Sequence, residues 1–233
     1  MAVSCLLTGP ASAAPGDLAI GVKGGFNWSR LEQPNDPIGS PTLMQGTAFE
    51  GVGGTVGPTA AIELGTLAGG PFSLELDALY SRHVGHGSQE NDESGARRDA
   101  TLTTDVVRVP LLAKWQLPST ESSPILVGLG SELWAGFRSG AKVIHNEAVE
   151  APPQPLRTTP VRHLALTALL GFEIPAGPNR TIPLELRTSW DPMVAPTTAE
   201  RFRGYQSQDN PGEFEVAFDY HVIAMTGFTW SGF

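Results

Sequence analysis

The chain has 233 residues, 40% of them hydrophobic, and its 24 Asp and Glu outnumber its 15 Lys and Arg to give a formal net charge of -9. That balance argues against nucleic-acid binding, which requires clustered basic residues. No run of about 20 apolar residues is present, which argues against a helical membrane protein. The single cysteine, Cys5, excludes an intramolecular disulfide and a cysteine metal cluster.

The first residues differ in character from the rest of the chain. A short apolar run leads to Ala11-Ser12-Ala13, an A-x-A-like cleavage signal, although the basic start of a secretory peptide is missing. We interpret residues 1–15 as a signal peptide truncated at its start, the alternative being an ordinary disordered N-terminus. The remainder, residues 16–233, fits a single all-β domain, because 27 glycines and 20 prolines fall between short alternating segments.

The first half of the chain contains four segments with the period-two alternation of β-strands. In the first, Leu18, Ile20 and Val22 share a face opposite Ala19 and Lys23. The four segments cover about residues 17–29, 50–64, 72–80 and 103–117.

The second half repeats the scheme with four more alternating segments. They cover about residues 125–138, 164–174, 182–191 and 214–228, and the alternation is weakest in the 164–174 segment. Eight strands joined in sequence form four hairpins, so the pattern predicts an eight-stranded antiparallel up-and-down barrel.

The connections between the predicted strands alternate in length. Short ones are expected at residues 65–71, 118–124 and 175–180, and long polar ones at 30–47, 83–100, 139–160 and 192–212. Transmembrane barrels have short turns at the periplasmic end and long loops outside, whereas a soluble barrel has no reason to place every long loop at one end. The sequence therefore predicts a transmembrane β-barrel.

Charged residues recur on the face opposite the apolar one, which we assign to the lumen. Eight strands leave room for side chains but hardly for a wide channel, so five basic and six acidic residues could pair and close the interior. The alternative is a solvated outer face on a soluble barrel or sandwich. The predicted lumen charges are Lys23, Glu75, Asp77, Arg108, Lys114, Glu132, Arg138, Glu173, Glu185, Arg187 and Asp219.

Aromatic residues collect at both ends of the predicted strands, as in the interfacial girdles of transmembrane barrels. Aromatics also favour strands in general, so this support is partial. At the long-loop ends lie Trp28, Tyr80, Phe137, Trp190 and Phe214, and at the turn ends lie Phe72, Trp115, Phe172, Phe228 and Trp230.

Several of these segments also resemble a known family. GVKGGFNWSRL, LELDALYSRH and DVVRVPLLAKW resemble the first, third and fourth strands of the outer-membrane protein β-barrel domain family, the porin-like small barrels of Gram-negative bacteria. The aromatic-rich strand ending at Phe233 resembles the C-terminal signal read by the barrel-assembly machinery. The resemblance implies an outer-membrane location with both termini in the periplasm, and contact with membrane lipid and lipopolysaccharide. It implies no single activity.

The sequence contains no phosphate loop, H-E-x-x-H pair or nucleophile elbow. A lipid hydrolase would need His163 or His221 to act as a base for a serine such as Ser81, Ser131 or Ser189, and nothing in the spacing requires this. Loop residues that could bind a cation weakly are more often simply solvated; they are His83, His86, Glu90, Asp92 and Glu93. We therefore expect no catalytic residue, cofactor or metal.

Four functions remain open. We favour a non-enzymatic outer-membrane barrel that anchors, stiffens or presents loops to a surface partner that the sequence does not identify. The alternatives are a narrow channel for small solutes, a soluble lipocalin-like binding barrel and an outer-membrane lipid hydrolase. Function then depends chiefly on the loops.

Overall fold

Eight long strands form a barrel wall in the computed structural model, which describes residues 15–31, 45–46, 49–90, 97–118, 124–146, 158–160, 162–191, 214–216 and 220–232. No helix in these ranges is long and apolar enough to cross a membrane. The strands are β1 (Leu18–Leu31), β2 (Phe49–Leu67), β3 (Gly70–Asp77 and Leu79–Glu90), β4 (Arg97–Gln116), β5 (Ile125–Asn146), β6 (Arg162–Gly177), β7 (Arg180–Trp190) and β8 (Tyr220–Ser231).

The wall closes on itself because β1 pairs with both β2 and β8. Lys23 lies opposite Gly57 on one side and opposite Gly227 on the other. All neighbouring wall strands are antiparallel. The two segments of β3 form one continuous strand, since the Ala78 amide between them donates to the carbonyl of Pro58, 3.1 Å away. The predicted eight-stranded up-and-down barrel is confirmed.

Two tight turns and both described ends of the wall lie at the same end of the barrel. Leu67 pairs with Gly70, so β2 and β3 are joined by Ala68 and Gly69 alone. Gly177 pairs with Arg180 in the same way between β6 and β7. Because Ala19 pairs with Ser231, the first and last strands begin and end here too. We call this the turn end of the barrel.

Strands at the opposite, long-loop end extend further than predicted. The predicted loops at 83–100 and 139–160 were wrong in part, because β3 continues to Glu90, β4 begins at Arg97 and β5 continues to Asn146. Their ladder is held by backbone hydrogen bonds, which do not depend on apolar side chains. Alternation therefore fades there while the strand continues.

The eighth wall strand begins later than predicted. It starts at Tyr220, whereas Phe214–Val216 pairs in parallel with Thr158–Pro160 in a separate small sheet. Placing Phe214 on the eighth wall strand was therefore wrong.

A bulge in β5 shifts the register against β4. Val106 lies opposite Gly136, but Asp105 lies opposite Arg138, which leaves Phe137 as an extra residue. An extra residue reverses which side chains face inward beyond it. The side chain of Arg138 is accordingly exposed on the outer surface, not in the lumen.

The barrel is polar inside and apolar outside. Leu129 is 70% and Phe26 73% exposed on the outer surface, while Lys23 and Arg187 are each only 1% exposed. An inward glycine makes room for one of these charged side chains: a Cβ atom at Gly227 would lie 2.9 Å from Cγ of Lys23. The interior also contains small apolar contacts, such as the buried cluster of Leu79, Ile223 and Met225.

Candidate functional site in the barrel lumen

Six charged side chains from four strands meet in the lumen and form one ion-pair network. We name this network the lumen plug, and its members are Lys23, Glu75, Asp77, Lys114, Glu185 and Arg187. They come from β1, β3, β4 and β7, because alternation turns these residues of each strand to the inside.

Two lysines bridge the same two glutamates. Lys23 Nζ donates to Glu75 Oε1 at 2.6 Å and to Glu185 Oε1 at 2.8 Å. Lys114 Nζ donates to Glu75 Oε2 at 2.8 Å and to Glu185 Oε1 at 3.1 Å. The four groups lie on four strands, and their pairs are 39 to 162 residues apart in the chain, so the closed wall brings them together.

Arg187 completes the plug. Its guanidinium donates to Asp77 Oδ2 at 2.6 Å, to Glu75 Oε1 at 2.8 Å and to Glu185 Oε2 at 2.5 Å. Three cations therefore meet three carboxylates, and the plug carries no net charge. Each ion has partners of opposite charge, which is the condition for tolerating charge in a dry interior.

A second polar layer lies around Glu132. Its carboxylate forms a bidentate pair with Arg108 and accepts from Thr167 Oγ1 at 2.8 Å and Ser189 Oγ at 2.7 Å. All four residues are buried, with Glu132 fully inaccessible. This layer blocks the lumen a second time.

A cavity of about 380 Å³ opens at the turn end and stops at the plug. Lys23, Glu75 and Lys114 lie at its inner limit, and Glu173 lines its side. The cavity ends at the plug, whose paired charges are almost completely buried.

Three histidines gather around Trp134 deeper in the lumen. The rings of His83, His163 and His221 lie 5.0, 5.1 and 4.1 Å from the indole, measured between centroids. The guanidinium carbon of Arg108 lies 4.3 Å from the indole centroid, a cation–π contact.

Ser29 connects two of these histidines. Its Oγ lies 2.5 Å from His83 Nδ1 and 3.1 Å from His221 Nδ1, and all three residues are buried. His163 Nε2 lies 3.8 Å from Asp191 Oδ2. This arrangement places a serine, histidines and a carboxylate in one region, but the Ser29 hydroxyl has no exposed surface that a substrate could reach.

The predicted lumen charges are distributed as follows. Eight are buried in the lumen: Lys23, Glu75, Asp77, Arg108, Lys114, Glu132, Glu185 and Arg187. Glu173 lines the turn-end cavity, Arg138 lies on the outer surface beyond the bulge, and Asp219 lies outside the described residues.

The predicted girdle aromatics lie on the outer surface at both ends of the wall, except Phe214. Phe72 of β3 lies opposite Trp115 of β4 near the turns, and Phe228 stacks edge-on against Trp230. Tyr80 lies 6.2 Å from Phe137 near the long-loop end. The other three have the same orientation on their strands, and they are Trp28, Phe172 and Trp190.

The serines proposed for a hydrolase are not the ones that meet the histidines. Ser81 donates to Thr55, Ser189 joins the layer around Glu132, and neither contacts His163 or His221 in these hydrogen bonds. Ser29 and Trp134 were not singled out from the sequence as histidine neighbours. Ser29 has the same parity as Lys23 on β1, and this was the signal that could have found it.

The residues considered for a loop cation site are separated in the structure. His83 is buried in the lumen, His86 is exposed with its Nδ1 2.9 Å from Thr101 Oγ1, and Asp92 and Glu93 lie outside the described residues. The backbone alone of Glu90 is described, at the end of β3. Across the described residues, no group of three or more His, Cys, Asp and Glu is arranged to hold a metal ion.

The predicted signal peptide at 1–15 lies almost wholly outside the described residues.

No protein-family model and no curated protein matches the chain. Among solved structures it is similar to the outer membrane protein OprG from Pseudomonas aeruginosa, with 12% identity and a TM-score of 0.43 over 95% of this chain and 98% of that chain. It is also similar to Ail, the attachment invasion locus protein of Yersinia pestis, with 10% identity and a TM-score of 0.26 over 94% and 100% of the two chains. Such distant similarity assigns neither a family nor an activity, and the fold is established by this chain's own strand pairing.

Proposed function

We propose that this chain is a non-enzymatic β-barrel of a Gram-negative outer membrane that anchors its long loops at the cell surface. The observation that carries the proposal is the inverted barrel, in which charged side chains are buried and leucines such as Leu129 are 70% exposed. A soluble barrel would expose that apolar belt to water, whereas a transmembrane barrel places it in lipid.

The two ends of the wall support an orientation with the turn end in the periplasm. Short turns and the strand ends near Ala19 and Ser231 lie together, and transmembrane barrels keep their short turns in the periplasm. The long connections would then face outward. The closed lumen supports an anchoring role, with recognition left to the loops and any partner they bind.

Cell fractionation tests the membrane assignment. We expect the protein in the outer-membrane fraction, and we expect detergent-refolded protein to migrate differently on gels when it is not boiled. A protein that is monomeric and soluble without detergent would contradict the proposal and favour the soluble binding barrel instead.

The cavity of about 380 Å³ at the turn end is the observation that favours a narrow channel as second candidate. We expect no channel, because the lumen plug and the layer around Glu132 both fill the path. Planar-bilayer recording of the refolded barrel decides between the two. Reproducible conductance steps in the native protein would establish the channel and contradict the closed lumen.

The buried network of Ser29 and the histidines supports a structural role in preference to lipid hydrolysis. Since Ser29 is 0% exposed, no acyl chain reaches its hydroxyl in this conformation. We expect the membrane lipid profile of cells that produce the protein to stay the same in His163→Ala and His221→Ala variants. A lipid change that is lost in either variant would point to the hydrolase.

A further inference from the structure

The outer surface near the long-loop end carries exposed basic side chains along one side of the wall. We name them the basic rim, and they are Arg82 on β3, Arg138 and Lys142 on β5 and Arg162 on β6. The side chains of all four are exposed on the outer surface. In the strand register, Lys142 lies opposite Thr101 and Arg162 lies opposite Ala135. In a chain with a net charge of -9, this is a local concentration of positive charge.

Among the described residues, Asp105 is the carboxylate that lies directly between two of these cations. The strand registers place Asp105 directly between Arg82 and Arg138. Asp105 Oδ1 accepts a hydrogen bond from the Tyr80 hydroxyl at 3.0 Å and lies 3.9 Å from Arg82 Nε. The Asp105 side chain is only 10% exposed, whereas that of Arg82 is 56% exposed. Within the part of the chain that the structure describes, these four exposed cations outnumber Asp105 and the half-buried Asp99 further along β4, so the basic rim keeps an excess of positive charge.

An apolar surface lies directly below the basic rim. Val107 is 39%, Tyr80 42% and Phe137 56% exposed, and the last two rings contact each other. This surface continues into the belt through Leu133, which is 50% exposed. Exposed guanidinium groups above an exposed apolar wall match a molecule with an anionic head and hydrocarbon chains.

On the opposite side of the barrel, the described residues of β1 and β2 show a balanced pair at this level. There Arg30 on β1 lies opposite Glu50 on β2, with 3.2 Å between Arg30 Nη1 and Glu50 Oε1, and both side chains are 42% exposed. This pair is neutral. The positive charge is thus a property of the β3–β6 side, where the bulge at Phe137 turns Arg138 outward.

We propose that the basic rim binds the phosphate groups of an anionic glycolipid in the outer leaflet, whose acyl chains lie on the wall below. This inference rests on the membrane location under the proposed function. Arginine side chains bind phosphate through paired hydrogen bonds. Arg82 on β3 and Arg138 on β5 are separated by β4, so their backbones are about 10 Å apart. The apolar wall selects a lipid over a soluble anion.

Lipid A, a phosphorylated acylated disaccharide, is the probe. Binding to the refolded barrel in detergent is measured by native mass spectrometry and by titration. The Arg82→Gln, Arg138→Gln double variant should bind lipid A at least about ten-fold more weakly, as expected for the loss of charge-assisted hydrogen bonds. Arg30→Gln is the matched control, because it removes a positive charge from the neutral side, and it should bind as the native barrel does.

Asp105→Asn is the complementary variant, since it keeps an oxygen for Tyr80 but removes the negative charge, and it should bind lipid A more tightly. Inorganic phosphate at the same concentration should not displace the lipid. Displacement by inorganic phosphate or by a soluble polyanion would show a general anion site, and equal binding by all variants would overturn the inference. A native protein that fails to enter detergent micelles as a folded barrel contradicts the proposed function itself, which separates the two failures.

Discussion

Glu132 and Glu50 show how differently two ion pairs in this barrel are placed. Glu132 is fully buried and holds Arg108, Thr167 and Ser189, whereas Glu50 pairs with Arg30 where both side chains are 42% exposed. A buried ion that loses its partner is left uncompensated in a medium of low polarity. An exposed ion that loses its partner is simply hydrated.

Substituting Glu132→Gln should therefore destabilise the barrel by about 3 to 5 kcal/mol, because the Arg108 charge stays buried without its counter-ion. Glu50→Gln should change the free energy of unfolding by less than about 1 kcal/mol. Urea titration of both variants in lipid vesicles, followed by tryptophan fluorescence, measures the difference. Equal effects of the two substitutions would mean that the lumen is wet enough to screen Arg108.

The hairpin that joins β2 and β3 is the element with the most evident local strain. Ala68 has φ 48° and Gly69 φ 85°, so both turn residues occupy the left-handed region that a type I′ turn requires. Gly69 adopts this conformation freely, but Ala68 does so against its Cβ. Asn-Gly is the dipeptide that such a turn prefers.

We expect Ala68→Asn to stabilise the barrel by roughly 0.5 to 1 kcal/mol, because asparagine tolerates the left-handed conformation better than alanine. Ala176, which precedes the turn between β6 and β7, is the control, since it is exposed and its φ is not positive. Ala176→Asn should leave the unfolding midpoint unchanged. A loss of stability in Ala68→Asn would contradict the turn assignment.

At the scale of the whole molecule, the solvent around the wall decides which surface is favourable. The belt exposes Leu129 at 70%, Leu164 at 59% and Leu166 at 56%, while the interior holds the lumen plug. In water this arrangement would expose the apolar side and bury the ions. In a bilayer the same arrangement is favourable, because hydrocarbon contacts the leucines and the strands of the belt pair with a neighbour on both sides around the closed ring.

Leu129→Arg distinguishes the two environments. Arginine on the lipid-facing side of a barrel near the middle of the bilayer costs about 2 to 4 kcal/mol, so the variant should unfold at lower urea in vesicles. Ala176→Arg, outside the belt at the turn end, should have little effect. If Leu129→Arg is instead neutral and improves solubility without detergent, the wall faces water and the membrane assignment fails.

Single residues also show how far the pattern of the chain predicts its structure. Alternation around Lys23, Glu75 and Glu185 placed these side chains inside, because the period of two is a property of each strand alone. The same rule misplaced Arg138, since the bulge at Phe137 depends on how β5 meets β4. It also ended the third strand before His83, where backbone pairing with β2 and β4 keeps the strand extended.

The sequence by itself determined the strand count, the short turns at one end and the apolar belt, because each of these is written in local periodicity and in turn residues. The partners of the buried ions were decided by the tertiary structure, which brings Lys23 within 2.8 Å of Glu185 across 162 residues. Closure of the sheet also placed Ser29 between His83 and His221 and turned Arg138 out beside Asp105. These contacts depend on register and shear around the whole ring, and no segment of the chain carries that information alone.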